Sequence, residues 1–191
     1  MIMIPNGEKE VYRYLRQAIH DEMSFLEGLC KEIEPVIAKA ERADQEDLVI
    51  YSRAAGSILH DFYTGIERIF QAISKHLDGG LPKGERWHIE LLESMAESRR
   101  TRPQVISADL KEELKEYLGF RHLFRNIYGI ELKWDKLKDL LLRLRESIWE
   151  EFCKALEQFD DFLHEMLEKN EEKRLEGRAP DDRDSGSSGS I

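Results

Sequence analysis

At 191 residues the chain can hold one domain with a full hydrophobic core, and it is too short for two ordinary domains. A formal net charge of −10 excludes broad, sequence-independent attachment to nucleic acid, which needs a large basic surface, so any contact with RNA has to be local. Five prolines and twelve glycines against a background of Leu, Glu, Lys and Arg make the composition helical.

The opening residues Met1 to Pro5 lack the basic flank and the apolar length of a signal peptide, and no run approaches the roughly eighteen apolar residues of a membrane span. The expected location is the cytoplasm. Cys30 and Cys153 lie in helical stretches far apart in sequence, which fits two buried thiols in a reducing compartment.

From Val11 to about Lys39, Leu15, Ile19, Leu26, Leu29, Ile33 and Val36 recur in steps of three, four or seven, the signature of one apolar helix face. Pro35 is expected to bend or end that helix, because it cannot donate a backbone hydrogen bond. A second helix carries Leu48, Tyr51, Ala55, Leu59, Phe62, Ile66, Ile69, Ile73 and Leu77, and Asp78-Gly79-Gly80 supplies its stop. A short helix around Trp87 to Glu97 comes next, followed by a connection containing Arg99, Arg100, Arg102 and Pro103. That basic run reads either as a solvated loop or as a local anion contact.

Ser107 is placed to cap a further helix bearing Leu110, Leu114, Leu118 and Arg121, which should run to Ile127 or Tyr128 with Gly129 as its stop. The last helix starts near Trp134 and shows Leu137, Leu141, Leu144, Ile148, Phe152, Ala155, Phe159, Phe162 and Met166 in alternating steps of three and four. Beyond about Lys169 the pattern dissolves, and a Gly/Ser-rich segment at 185–189 resembles a linker. The reading is therefore an all-α, up-and-down bundle of four long helices and one short one over residues 8–170, with a charged tail at 171–191 expected to be disordered. No glycine-rich phosphate loop or paired metal-ligand cluster interrupts it, so neither metal nor cofactor is expected.

The most unusual stretch is GFRHLFRNIYG at 119–129. On a helix Arg121 and Arg125 stand one turn apart and Tyr128 two turns from Arg121, which puts two guanidinium forks and a phenol on one face. Such forks bind phosphate oxygens in pairs and neutralise charge developing at phosphorus. The same residues equally suit an ordinary helix end, where Arg favours the dipole and Tyr anchors the surface.

This stretch resembles the HepT-like toxin branch of the HEPN superfamily, whose members carry an Arg, four residues, a His, one residue and a Tyr near a helix end. The surroundings are also similar: LHDFYTGIERIF at 59–70, LPKGE at 81–85 followed by Trp87 and His88, and YGIEL at 128–132. The similarity spans roughly Val11 to Leu167. It implies a HEPN-like bundle that works as a homodimer, two motifs facing each other across a composite cleft. It implies a metal-independent endoribonuclease acting on RNA, tRNA in the first instance, in a type VII-like toxin–antitoxin system. The partner would be a minimal nucleotidyltransferase antitoxin that transfers AMP to Tyr128. On this resemblance Arg121 clamps the scissile phosphate, while His122 and Arg125 bind or orient substrate.

Asn126 occupies the position of the motif histidine. An amide does not exchange a proton near neutral pH, so acid–base catalysis through it is lost, a change worth about a hundredfold to ten-thousandfold in rate. Three accounts fit: a substitution introduced to silence a toxic protein, a natural protein that binds without cutting, or His122 serving as the base instead. The alternative to an enzyme is a non-catalytic helical module that binds a nucleotidyltransferase, a nucleotide or RNA. His20, His60, His76, His88 and His164 lie on other elements and read as ordinary helical or surface histidines.

Overall fold

The computed structural model describes residues 8–125 and 132–176. Six helical segments follow one another: α1 (Glu8–Ala40), α2 (Gln45–Leu77), α3 (Trp87–Met95), α4 (Ala108–Arg125), α5 (Trp134–Arg143) and α6 (Trp149–Glu176). A π-helical turn, Leu144–Ile148, joins α5 to α6, so the two read as one long element. The chain is all-α, four long elements and one short one. Among the described residues no helix is long and apolar enough to cross a membrane.

α1 continues through Pro35 and ends about a turn later at Ala40, so Pro35 does not end the helix. Pro35 and Lys31 are both exposed, so the Lys31 carbonyl that loses its intrahelical partner faces water. α2 begins one turn earlier than its apolar stripe, because Asp44 caps it by accepting from the backbone N–H of Glu46 at 3.0 Å and of Asp47 at 2.9 Å. It stops at Asp78, where Gly79 takes a positive φ of 84°. Ser107 caps α4 as expected, its hydroxyl accepting from Leu110 N–H at 3.0 Å.

α2 is the central helix. Besides Ala55, Leu59, Phe62, Ile66, Ile69 and Ile73, a second face carrying Ile58, Tyr63, Glu67, Phe70 and Ser74 is also buried, because α1, α3, α4 and α5 all pack against it. Phe62 and Phe70 additionally meet Trp149 and Phe152 of α6 edge-on. Helix α4 packs its Phe124 ring against Gly56 of α2, where a β-carbon would lie 2.5 Å from that ring. Replacing Gly56 with Ala is therefore expected to destabilise the fold by about 1–3 kcal/mol through overpacking, less the ~1 kcal/mol gained in helix propensity. A chemical denaturation midpoint that does not fall would contradict this.

The final element departs from the sequence reading in register. The buried positions are Leu137, Leu140, Leu141, Leu144, Ile148, Phe152, Leu156, Phe159, Leu163 and Leu167, whereas Ala155, Phe162 and Met166 sit at the edge of the core. Three consecutive steps of four, from Leu144 to Leu156, would rotate an α-helical stripe by about 120°. The wide turn at Leu144–Ile148 absorbs about one residue, or about 100°, and keeps the stripe on the core.

Helices α1 and α6 also bring Cys30 and Cys153 within electrostatic reach of each other. Burial first, then the neighbouring thiol and Glu27, push Cys30 up to about 12. Burial, Glu157 and Glu27 push Cys153 to about 11. Thiols held that far from ionisation are poor nucleophiles at neutral pH.

Candidate functional site

Arg121 stands where the apolar stripe of α4 would place another leucine: Leu110, Leu114, Tyr117 and Leu118 precede it and are buried. That register turns its guanidinium toward α2. A charge so placed needs a partner, and α2 supplies one at an equivalent register, since Glu67 follows Tyr63 by one turn and precedes Phe70 by another. Nη2 of Arg121 donates to Oε1 of Glu67 at 3.0 Å, and Nε donates to the Thr64 hydroxyl at 3.3 Å. Arg121 is 9% exposed and Glu67 4%.

The carboxylate of Glu67 is shared. Its other oxygen lies 2.5 Å from Nδ1 of His88, the second residue of α3, and Gln71 donates to Oε1 at 3.3 Å. The His88 ring lies tilted against Trp87, with centroids 3.5 Å apart, and meets the His122 ring edge-on at 5.0 Å. Glu85, His88, Arg121, His122 and Arg125 line a cavity of about 190 Å³ at the surface. One buried carboxylate thus ties three helices together beneath a cavity lined by two guanidinium groups and two imidazoles.

Of the residues named from sequence, Arg121, His122 and Arg125 come together here, while Asn126 and Tyr128, with the expected end of α4 at Ile127 or Tyr128 and the Gly129 stop, lie outside the described residues. His122 is exposed at the cavity rim. Partial desolvation, then His88 and Arg121, lower its proton affinity. His88 was read from the sequence as an ordinary helical or surface histidine, and Glu67 was not singled out. A signal was present: Glu67 and Arg121 are opposite charges on core registers of different helices, and charges so placed are almost always paired.

The basic run at 99–102 belongs elsewhere. Arg102 is 2% exposed and forks onto Asp78 with contacts of 2.9 and 2.7 Å, and it also donates to the carbonyls of Ser94, Glu97 and Pro103. Arg99 adds a 3.7 Å ion pair to the same carboxylate. Reading this run as a solvated loop or an anion contact therefore fails for Arg102, which is a structural clip. Asp78 lies eleven residues beyond Glu67 along α2, about 16 Å at helical rise, so the clip and the cavity are separate places.

Four other histidines carry no such constellation. His76 lies tilted against Tyr14 and its Nδ1 lies 2.8 Å from the Ala72 carbonyl, and His164 faces Glu168 at 3.8 Å. His20 lines a groove between α1 and α6. His60 lies against the Phe124 ring with Nδ1 buried and unpartnered. Burial chiefly, assisted by Arg121 and Arg125 and opposed by Asp61, holds it below its ordinary value of 6.5. The sign follows from which state binds the proton first. Below about 6.5 the unfolded chain protonates His60 while the folded chain resists, so folding stability is lost as pH falls toward the depressed value. The thermal midpoint is expected to drop as pH falls through about 6.5, and less so in His60→Gln.

Among the described residues no three of His, Cys, Asp and Glu gather in a way that could hold a metal ion. A family model described as HepT-like protein matches residues 54–163, which runs from the first turns of α2 into α6 and contains every residue of the cavity. No curated protein and no solved structure gives a match.

Proposed function

Since this chain belongs to the HepT-like protein family, the toxin side of toxin–antitoxin pairs, we propose that it acts on RNA as a metal-independent endoribonuclease, slowed by Asn126. The observation that carries this reading is the cavity in which Arg121 and Arg125 stand beside His88 and His122. Two guanidinium forks match the oxygens of a phosphodiester and offset the charge that builds on phosphorus as the ribose 2′-hydroxyl attacks. The localised basic site also accommodates an acidic protein that binds RNA, tRNA being the substrate class we assign.

On this reading the protein works as a homodimer. A groove of about 660 Å³ beside the site, lined among others by Phe120, Leu123, Leu132 and Leu137, supports it, since Leu123 is 51% exposed one residue from His122. The partner is a minimal nucleotidyltransferase antitoxin that transfers AMP to Tyr128. AMP on Tyr128, three residues along the chain from Arg125, would add a negative phosphate that disfavours RNA.

The test is cleavage of total RNA by the purified chain and by Asn126→His in EDTA, with peptide mass spectrometry of Tyr128 after co-expression with a nucleotidyltransferase partner. Cleavage by either protein, abolished once Tyr128 carries AMP, is the expected result. Asn126 favours one rival, a binding module that cuts nothing: RNA or nucleotidyltransferase binding without cleavage by either protein would establish it and end the endoribonuclease reading.

A further inference from the structure

A buried carboxylate that fixes an imidazole does more than satisfy a core charge. With Nδ1 donating to Glu67, the neutral His88 ring is held in the tautomer whose lone pair is on Nε2, and the carboxylate stabilises the imidazolium formed when Nε2 takes a proton. Glu67 cannot drift, because Arg121 and Gln71 hold its other oxygen. The ring cannot turn easily either, with Trp87 tilted against it and His122 meeting it edge-on. The side chain is 13% exposed, and that exposure opens on the cavity it shares with Arg121 and Arg125.

We propose that His88, held by Glu67, is a proton-transfer residue of this site, taking the 2′-hydroxyl proton of an RNA strand whose scissile phosphate rests against Arg121 and Arg125. The role rests on the endoribonuclease reading above and deepens it, since it supplies from α3 a base that position 126 cannot provide. The cavity, at about 190 Å³, falls below the ~300 Å³ of sites that enclose a whole small ligand, so it takes a phosphate and the edge of its ribose. As the 2′-oxygen attacks the adjacent phosphorus, its proton passes to Nε2 and the bond from phosphorus to the 5′-oxygen breaks. That oxygen takes a proton from water, and the hydroxide left behind is neutralised by the proton Nε2 gives up. The products are a 2′,3′-cyclic phosphate and a 5′-hydroxyl end.

The groups facing His88 are Glu67 from α2, Arg121, His122 and Arg125 from α4, and Glu85 from the loop before α3. Removing the base from this position should change the pH dependence of the rate. The experiment measures initial cleavage of a fluorescently labelled RNA in EDTA across pH for the unmodified chain, His88→Ala, His88→Gln and Asn126→His, with the fold of each checked by circular dichroism. We expect His88→Ala and His88→Gln to lose about a hundredfold or more in rate while folded, and added imidazole to restore part of it to His88→Ala alone. A merely structural histidine would show no such rescue. Unchanged rates in both His88 variants, or losses without imidazole rescue and with the original pH profile, overturn the proposal. Cleavage by Asn126→His but not by the unmodified chain leaves the endoribonuclease reading standing and overturns the role of His88. Cleavage by none of the four proteins removes the endoribonuclease reading, and this role with it.

Discussion

Asn126→His is expected to raise RNA cleavage in EDTA by about a hundredfold to ten-thousandfold, the span that a positioned acid–base group usually contributes. In barrier terms that is about 3–5 kcal/mol, at ~1.4 kcal/mol per factor of ten. Asn126 follows Arg125 directly in the chain, and Arg125 lines the cavity. Asn hydrogen-bonds in both directions but carries no titratable proton near neutrality, so it can orient a phosphate without moving a proton. The gain should appear in kcat more than in KM, because the guanidinium groups that bind the phosphate are untouched. A second ionisation should also enter the pH–rate profile, belonging to the new imidazole. Equal rates for the two proteins would remove position 126 from the chemistry altogether.

The second large effect is on stability, and it lies about 16 Å along α2 from the cavity. Arg102→Ala is expected to destabilise the fold by about 3–5 kcal/mol, since it leaves a buried carboxylate without its counter-charge. The Asp78 side chain is 1% exposed and the Arg102 side chain 0%, so water cannot compensate either of them. Asp78 sits at the C-terminal end of α2, where the helix dipole already disfavours a negative charge, and Arg102 offsets both that and the desolvation. Three carbonyls, of Ser94, Glu97 and Pro103, would lose their donor as well. At ~2–4 °C per kcal/mol for a chain of this size, the thermal midpoint should fall by about 6–20 °C. Replacing both partners, as Arg102→Met with Asp78→Asn, should cost less than the sum of the two single changes, because no buried charge is then left alone. A loss in Arg102→Ala no larger than that of an exposed Arg100→Ala would show that the clip contributes little.

The long helices were legible because their apolar residues repeat at helical spacing, and so were two of their ends. Asp78-Gly79-Gly80 and Ser107 state the stop of α2 and the start of α4 in local chemistry alone. Pro35 misled, since whether a proline ends a helix depends on whether the carbonyl it strands meets water, and that is set by which face of α1 is exposed. The stripe of α6 slipped by one position because a π-helical turn changes the period without any local residue that announces it.

The candidate site divides in the same way. Arg121, His122 and Arg125 could be named from sequence because one helix turn makes them neighbours, and the motif around them carried the family resemblance. Glu67 and His88 could not, since they stand 21 residues apart on different helices and meet Arg121 only when α3 and α4 pack on α2. By the same token the sequence left Arg102 with Arg99 and Arg100 in a basic run that read as a solvated loop or a local anion contact, while folding buried it on Asp78. Periodicity and local chemistry determined the helices and the face on which the arginines project. Only tertiary packing decided which of those charges are shared with a buried carboxylate and which imidazole stands beside them, because a buried charge takes its meaning from the partner that packing brings to it.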